Sequence, residues 1–121
     1  MAPKKILNFW FGFGFKEHFG KDRKFDALIC KRFLKLHEAT VRGELVLWRT
    51  VPRGRLAQII VLDQFSRNMF RGTPQAFASD TLALALAQEA MAIGADKKLS
   101  KIERQFFLFS ITCLSTKSQT A

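Results

Sequence analysis

A run of four consecutive apolar residues, at positions 59–62, lies near the middle of the 121-residue sequence. A dense polar cluster follows it at once, beginning at Asp63 and ending at Arg71. A helix with four apolar residues in a row must be covered on most of its sides. The sequence therefore predicts a central helix, over residues 52–70, that is surrounded by other elements and becomes polar towards its C-terminal end.

Apolar residues recur at helical spacing on both sides of this central helix. Pro3 suits the first turn of a short N-terminal helix, and Asp22 is a good N-cap for a helix over residues 23–41. The alanine-rich residues 81–93 favour another helix, and the sequence SKIE at positions 100–103 has the spacing of a capping box that begins a last one. No segment has a convincing strand pattern, so the sequence predicts an all-α fold of antiparallel helices joined by short loops.

The composition is that of an ordinary globular domain, with 48% hydrophobic and 25% charged residues. Thirteen Phe and no Tyr predict a core filled by rings without hydroxyl groups. Cys30 and Cys113 are far apart and match no metal or redox spacing, so two reduced thiols in a cytoplasmic protein are expected. No segment reaches the ~20 apolar residues that a membrane-spanning helix needs.

The formal net charge of +10 favours association with nucleic acid or with an anionic surface. The basic residues are spread along the chain, however, and no block of like charges occurs. The aromatic residues fall at core spacings rather than between basic residues, as single-stranded nucleic acid would require. Nucleic acid is therefore the less favoured partner.

The polar cluster contains two pairs at helical spacing, Asp63 with Arg67 and Gln64 with Asn68. One interpretation is a buried ion pair that fixes helix packing, joined by Arg32 from the preceding helix. Arg32 falls within the apolar arc of that helix, where an arginine either extends its charged group to water or finds a buried carboxylate. On this interpretation the cluster has a purely structural role.

A second interpretation makes the same cluster a site. Amide groups and arginine forks suit the recognition of carboxylates or of a peptide backbone. An acid–base group would combine Asp63 and Arg67 with His37. No metal spacing, nucleophile motif or phosphate loop supports an enzyme, so no catalytic residue, metal ligand or cofactor is predicted. The candidate binding residues are Arg55, Asp63, Gln64, Arg67, Asn68, Arg71 and His37.

Four stretches of the sequence occur in the same order in a known bacterial family. They read ILNFWFG from position 6, FGKDRKFD from position 19, RF and LHE from positions 32 and 36, and PRGRLAQIIVLDQFSRNMFRGTPQAFASD over residues 52–80. Over about residues 5–108 the chain resembles the family called domain of unknown function 924. The resemblance implies an all-helical fold similar to tetratricopeptide-repeat proteins, without a clear repeat in the sequence. It implies no known activity, substrate or cofactor.

The chain departs from the family pattern at two places. The family usually has proline where this chain has Ser66, and its loss should leave the helix straighter there, because proline removes a backbone hydrogen bond and clashes with the preceding turn. Family members also continue for several more helices, whereas this chain ends in ITCLSTKSQTA. We expect residues 1–109 to be the N-terminal part of one helical domain. We expect residues 110–121 to be a disordered or aberrant tail, produced by a reading-frame shift near Phe109 or Ser110.

These observations favour a helical module that binds a protein or peptide, since stacked helix pairs form concave surfaces for such partners. An enzyme of unknown reaction and a binder of nucleic acid or anionic surfaces are the alternatives. A domain that lacks its last helices would expose apolar faces, so an oligomer formed through those faces is a further expectation.

Overall fold

The computed structural model describes residues 2–14 and 20–120, with side chains described as far as Cys113. The α-helices are α1 (Pro3–Phe11), α2 (Arg23–Val41), α3 (Pro52–Ile60), α4 (Ser66–Met69), α5 (Asp80–Ala92) and α6 (Lys101–Thr120). Short 3₁₀ turns are Val46–Thr50, Pro74–Phe77 and Ala95–Lys98. The described residues contain no strand, so the predicted all-α class is confirmed. The sequence also predicts a short turn flanked by Phe15 and Phe19, and those positions lie outside the described residues.

A π-helical turn, Val61–Phe65, joins α3 to α4. We call these three consecutive segments the central helix. Every side chain from position 56 to position 63 is buried, as the apolar run predicts. Helices α1 and α5 pack against α3, and α2 packs against the π turn and α4. The central helix is therefore covered by both earlier and later parts of the chain.

Aromatic rings without hydroxyl groups dominate the core around the central helix. Phe33 of α2 stacks on Phe65 with the ring centroids 4.9 Å apart, and Trp10 of α1 meets Phe65 edge-on at 5.8 Å. Phe107 brings α6 into the same cluster. Offset and edge-to-face arrangements of this kind are the favoured geometries for aromatic pairs.

The helix ends follow local sequence signals. Asp22 accepts hydrogen bonds from two backbone N–H groups in the first turn of α2. At the start of α6, Glu103 accepts a hydrogen bond from the backbone N–H of Ser100 at 3.0 Å, and the Ser100 hydroxyl accepts one from the N–H of Glu103 at 3.3 Å. The predicted capping box is therefore present.

The central helix is less regular than the sequence predicts. At its π turn, the Ser66 hydroxyl donates to the Leu62 carbonyl at 2.7 Å, and the Ser66 N–H bonds to the Asp63 carbonyl. A serine side chain that bonds four residues back commonly distorts a helix. Hydrophobic periodicity could not predict this π-helical turn, because four apolar residues in a row have no period. The straightening expected relative to proline-containing relatives stays a prediction.

Gly54 has a packing role in the first turn of α3. Helix propensity alone marks a glycine there as weakening. A Cβ atom at this position would collide with the backbone carbonyl of Trp48. The glycine therefore allows the 3₁₀ turn Val46–Thr50 to lie directly against α3.

The last helix crosses the boundary predicted after residue 109. Phe107 and Ser110 are buried on one side of α6, while Ile102 and Phe109 are exposed. The division of the chain at residue 109, and its origin in a frame shift, stay predictions. Among the described residues, no helix is long and apolar enough to cross a membrane.

Candidate functional site

Arg67 is the centre of a polar network on the second half of the central helix. Its Nη2 atom lies 3.1 Å from Oδ1 of Asp63. Arg67 also forms a bidentate ion pair with Asp80, in which Nη1 lies 2.8 Å from Oδ1 and Nη2 lies 3.0 Å from Oδ2. Its Nη1 group donates a further hydrogen bond to the Ala76 carbonyl at 2.8 Å. The Asp63 side chain is 4% exposed and that of Arg67 is 18% exposed. We call these three charged residues and the Ala76 carbonyl the Arg67 clasp.

The clasp fastens the segment that follows α4 to the central helix. In this segment Phe77 is 52% exposed, whereas Ala76 is buried, at 2%. Phe77 lies under the Arg67 guanidinium, which is 4.6 Å from the ring centroid. The Phe77 ring therefore covers a charged group by a cation–π contact rather than filling the core.

A second network joins α4 to the start of α2. Asn68 donates to Oδ1 of Asp26 at 2.8 Å, and Arg71 makes bonds of 2.7 and 3.1 Å to the two oxygens of the same carboxylate. Gln64 donates to Oδ2 of Asp63 at 3.0 Å. The predicted pair of Gln64 with Asn68 is therefore wrong, because each amide bonds to a carboxylate.

Arg55 and Arg32, the other two arginines that the sequence analysis considered, lie away from the clasp. Arg55 links α3 to α5 through Glu89, with 2.6 Å between Nη1 and Oε1, and this hydrogen bond lowers the pKa of Glu89. Arg32 is exposed, and its guanidinium lies 5.0 Å from the ring centroid of Phe9 and 5.1 Å from that of Phe33. Arg32 thus extends its charge to water over aromatic rings, and the suggestion that it joins Asp63 and Arg67 is wrong.

His37 bonds to Ser66 rather than to the Arg67 clasp. Its Nε2 atom lies 2.6 Å from the Ser66 Oγ atom, and the residue is only 6% exposed. The Phe70 ring meets the imidazole edge-on, with centroids 5.5 Å apart. Burial lowers the pKa of His37, and the nearby Glu38 opposes this effect in part. The imidazole is therefore neutral at neutral pH.

The two hydrogen bonds of Ser66 assign the tautomer of His37. The hydroxyl has one proton, and the Leu62 carbonyl can only accept, so the hydroxyl donates to Leu62. Nε2 of His37 must then carry a proton and donate to Oγ. Nδ1 is left as an acceptor, and within the described part of the chain it has no hydrogen-bond partner.

His37 lines a groove of about 480 Å³ between α2 and the segment that follows α4. A volume of this size lies within the range of ligand sites. The apolar walls are Leu34, Val41, Phe70 and Ala78. The other polar lining residues are Glu38, Arg42, Gln75 and Ser79.

A second cleft, of about 380 Å³, lies between α1 and the start of α6. Its charged groups, Arg53 and Glu103, pair with each other at 3.0 Å.

No three His, Cys, Asp or Glu side chains are placed to hold a metal ion within the residues described. Cys30 and Cys113 are free thiols. The groove beside His37 is thus lined by a residue with one ring nitrogen that has no partner in the described part of the chain.

Sequence reasoning found the Asp63–Arg67 pair but missed four side-chain partners of the candidate residues. No contact with a candidate residue was predicted for Asp26, Ser66, Asp80 or Glu89. A signal was present, because arginines on a largely buried helix need carboxylates from elsewhere in the chain. Which carboxylates they find depends on the tertiary fold.

The chain matches known proteins in both sequence and fold. Residues 6–115 match the family described as "Bacterial protein of unknown function (DUF924)". A solved structure of a protein of unknown function from Agrobacterium tumefaciens is similar, with 39% sequence identity and a TM-score of 0.83. That similarity covers 89% of this chain and 61% of the other, so this chain spans about three fifths of that protein. No curated protein matches. The resemblance inferred from the motifs is confirmed: the chain belongs to the DUF924 family of bacterial proteins of unknown function.

Proposed function

We propose that this chain is part of a cytoplasmic helical module, similar to tetratricopeptide-repeat proteins, that binds a protein or peptide. The observation that carries the proposal is the groove of about 480 Å³ beside His37. Four apolar side chains line it, and so does His37, whose Nδ1 atom has no partner in the described part of the chain. Peptide-binding surfaces use this combination, since apolar pockets take side chains and polar groups fix the backbone.

The candidate binding residues enter this proposal with two different roles. His37 contacts the partner. Arg55, Arg67, Arg71 and Asn68 each bond to a carboxylate within the chain, so they hold the walls in place. A partner that engaged these residues would have to break existing charge-assisted bonds, which are the stronger kind. Asp63 and Gln64 bond to each other and belong to the same frame.

Acid–base catalysis by Asp63, Arg67 and His37 together receives less support from these contacts. Asp63 is matched by Arg67 and Gln64, and His37 is matched by Ser66. The Ser66 hydroxyl is fully buried and already donates to a carbonyl, so it is poorly placed to attack a substrate. The shape and chemistry of the groove therefore support binding better than catalysis.

Selection from a random peptide library displayed on phage tests the proposal. We expect families of enriched peptides that bind the purified protein, because the groove supplies both a pocket and a polar anchor. Their affinity should change little between low and high salt. A DNA duplex should bind weakly, and its binding should collapse with salt, since contacts to phosphates release counterions. Failure to enrich any peptide above the unselected library, or salt-sensitive binding to DNA alone, would contradict the proposal.

A further inference from the structure

We propose that the outer face of α2 is a docking surface for an acidic amphipathic helix of a protein partner. The surface consists of four exposed residues, which we call the lysine stripe: Lys24, Leu28, Lys31 and Lys35. None of the four lines the groove beside His37 or the cleft between α1 and the start of α6. Docking on the stripe is a second interaction, which goes beyond the function proposed above and does not depend on the groove.

The lysines of this chain take no part in its internal ion pairs. Each of the seven ion pairs among the described side chains uses an arginine, and none uses a lysine. These pairs engage seven of the ten carboxylates in the sequence. The excess positive charge therefore falls largely on exposed lysines. A surface that collects several of them attracts an anionic partner.

The lysine stripe lies on the side of α2 that faces away from the core. An α-helix turns by about 100° per residue, so the three lysines lie within about 40° of one another around the helix. Phe25, Ile29 and Phe33 are buried on the other side. At a rise of about 1.5 Å per residue, Lys24 and Lys35 are about 17 Å apart along the axis. The stripe is thus straight, convex and three turns long.

No unpaired carboxylate interrupts the stripe. Asp26 is the acidic residue that the sequence places between Lys24 and Lys35. Its two oxygens are bound by Asn68 and Arg71 of the neighbouring segment, on the opposite side of α2. The positive field along this face is therefore continuous over the length of the stripe.

The spacing of the stripe suits a helical partner. Its four residues follow one another at intervals of four, three and four positions, which is the a/d spacing at which two helices stay in contact along their length. A partner helix that crosses α2 at about 20° would meet them in turn. It needs acidic residues opposite the three lysines and an apolar residue opposite Leu28, which is 38% exposed. An acidic amphipathic helix meets both requirements.

The composition of the stripe favours a protein over a nucleic acid. A phosphate backbone offers no apolar contact to Leu28, which lies in the middle of the stripe. The stripe has no arginine fork to bind a phosphate through two parallel hydrogen bonds. It also has no aromatic ring on which a single-stranded base could stack. Charge and apolar contact together therefore favour an acidic helix.

Binding of synthetic helical peptides to the full chain tests the proposal. The probe is an alanine-rich peptide of about 20 residues that carries three glutamates and one leucine at the spacing of the stripe, made in both chain orders. A control peptide of the same composition distributes the glutamates around the helix. The better probe should bind roughly tenfold more tightly than the control peptide, as three exposed ion pairs allow, and its affinity should fall as salt is added. Equal binding of probe and control peptide would overturn the proposal, because charge alone would then suffice.

Two triple variants with the same change in charge locate the surface. The first replaces the three lysines of the stripe by glutamine. The control variant replaces three exposed lysines at and after the turn Ala95–Lys98: Lys97→Gln, Lys98→Gln and Lys101→Gln. Only the first variant should weaken binding of the probe, by roughly tenfold, and thermal unfolding shows that both variants fold. Equal losses of affinity in the two variants would overturn the assignment to α2.

Leu28→Gln distinguishes a protein helix from a nucleic acid. The substitution should weaken binding of the probe severalfold, because it removes the apolar contact, and should leave the weak binding of a DNA duplex unchanged. A duplex that binds more tightly than the probe, and loses affinity only when the lysines are replaced, would overturn the proposal in favour of a phosphate-binding surface. Library-selected peptides that bind the stripe variant normally would leave the groove-based function standing whatever the probe does.

Discussion

Two polar groups at the second half of the central helix differ in how fully they are matched by the chain. In the Arg67 clasp, the guanidinium meets two carboxylates and a carbonyl, and Asp63 is also bonded by Gln64. In the second group, His37 of α2 bonds to Ser66 through one nitrogen, and its other nitrogen has no hydrogen-bond partner in the described part of the chain.

This difference separates a structural role from a binding role. A buried charge without a partner is costly, so Arg67 and Asp63 hold each other whether or not a ligand is present. A neutral imidazole with one free lone pair is far less costly and stays available to a ligand. Saturation of a polar cluster by its own chain therefore argues for structure, and an open polar atom beside a pocket argues for recognition.

The largest effect should come from removing the centre of the clasp. Arg67→Met leaves two carboxylates, Asp63 and Asp80, without their cation, and should lower the free energy of unfolding by about 3–5 kcal/mol. Urea denaturation measures this loss. Arg42→Met is the matched control, because Arg42 is exposed and forms its ion pair with the exposed Glu44. Equal stability of the two variants would show that the clasp is not structural.

Removing one carboxylate of the clasp should cost less. In Asp63→Ala the guanidinium of Arg67 keeps its two-pronged pair with Asp80, so the loss should lie at or below the lower end of that range, about 3 kcal/mol. The same denaturation experiment gives the value. A variant as stable as the wild type would reverse the interpretation of Asp63, from a packing residue to a site residue held at the expense of stability.

A smaller loss is expected at Ser66. Ser66→Ala deprives the His37 N–H of its acceptor and the Leu62 carbonyl of a donor in a fully buried place, which should cost about 1–3 kcal/mol. Thr112→Ala is the control, since the Thr112 hydroxyl makes the same bond to the carbonyl four residues back on an exposed surface. Comparable losses in the two variants would mean that burial of the Ser66 bond contributes nothing.

The smallest effect should appear as a pH dependence. The pKa of His37 is lowered in the folded state, so the unfolded chain binds more protons below its ordinary value of 6.5. Stability is therefore fully present above about pH 6.5 and falls as the pH drops towards the folded-state pKa. His37→Gln keeps a side-chain N–H for Ser66 but cannot titrate, so its stability should fall less between pH 7.5 and 5.5. Parallel pH profiles would contradict the burial of a neutral imidazole.

Local signals in the sequence predict the helices and their ends well. Asp22, Ser100 and Glu103 act within one turn of their own helix, where spacing alone decides the contact. The Asp63–Arg67 pair is predictable for the same reason, since it lies within one helical turn. The family could also be identified, because its motifs occur in order along the chain.

Contacts between distant parts of the chain could not be predicted in this way. Asp80 lies 13 positions from Arg67, Ser66 lies 29 from His37, and Asp26 lies 42 from Asn68. Helical spacing says nothing about such pairs. The groove is equally hidden, because it forms only when α2 meets the segment after α4.

The most direct test of the contrast between a matched clasp and an open acceptor is the protonation of the His37 ring. A long-range ¹H–¹⁵N spectrum of the free protein at neutral pH distinguishes the two tautomers, and His37→Gln assigns the signal. The contacts of Ser66 predict a proton on Nε2 and an unprotonated Nδ1. A proton on Nδ1 would contradict the account, because Nε2 could then not donate to Ser66. Protons on both nitrogens would contradict it as well, because the buried imidazole would not be neutral.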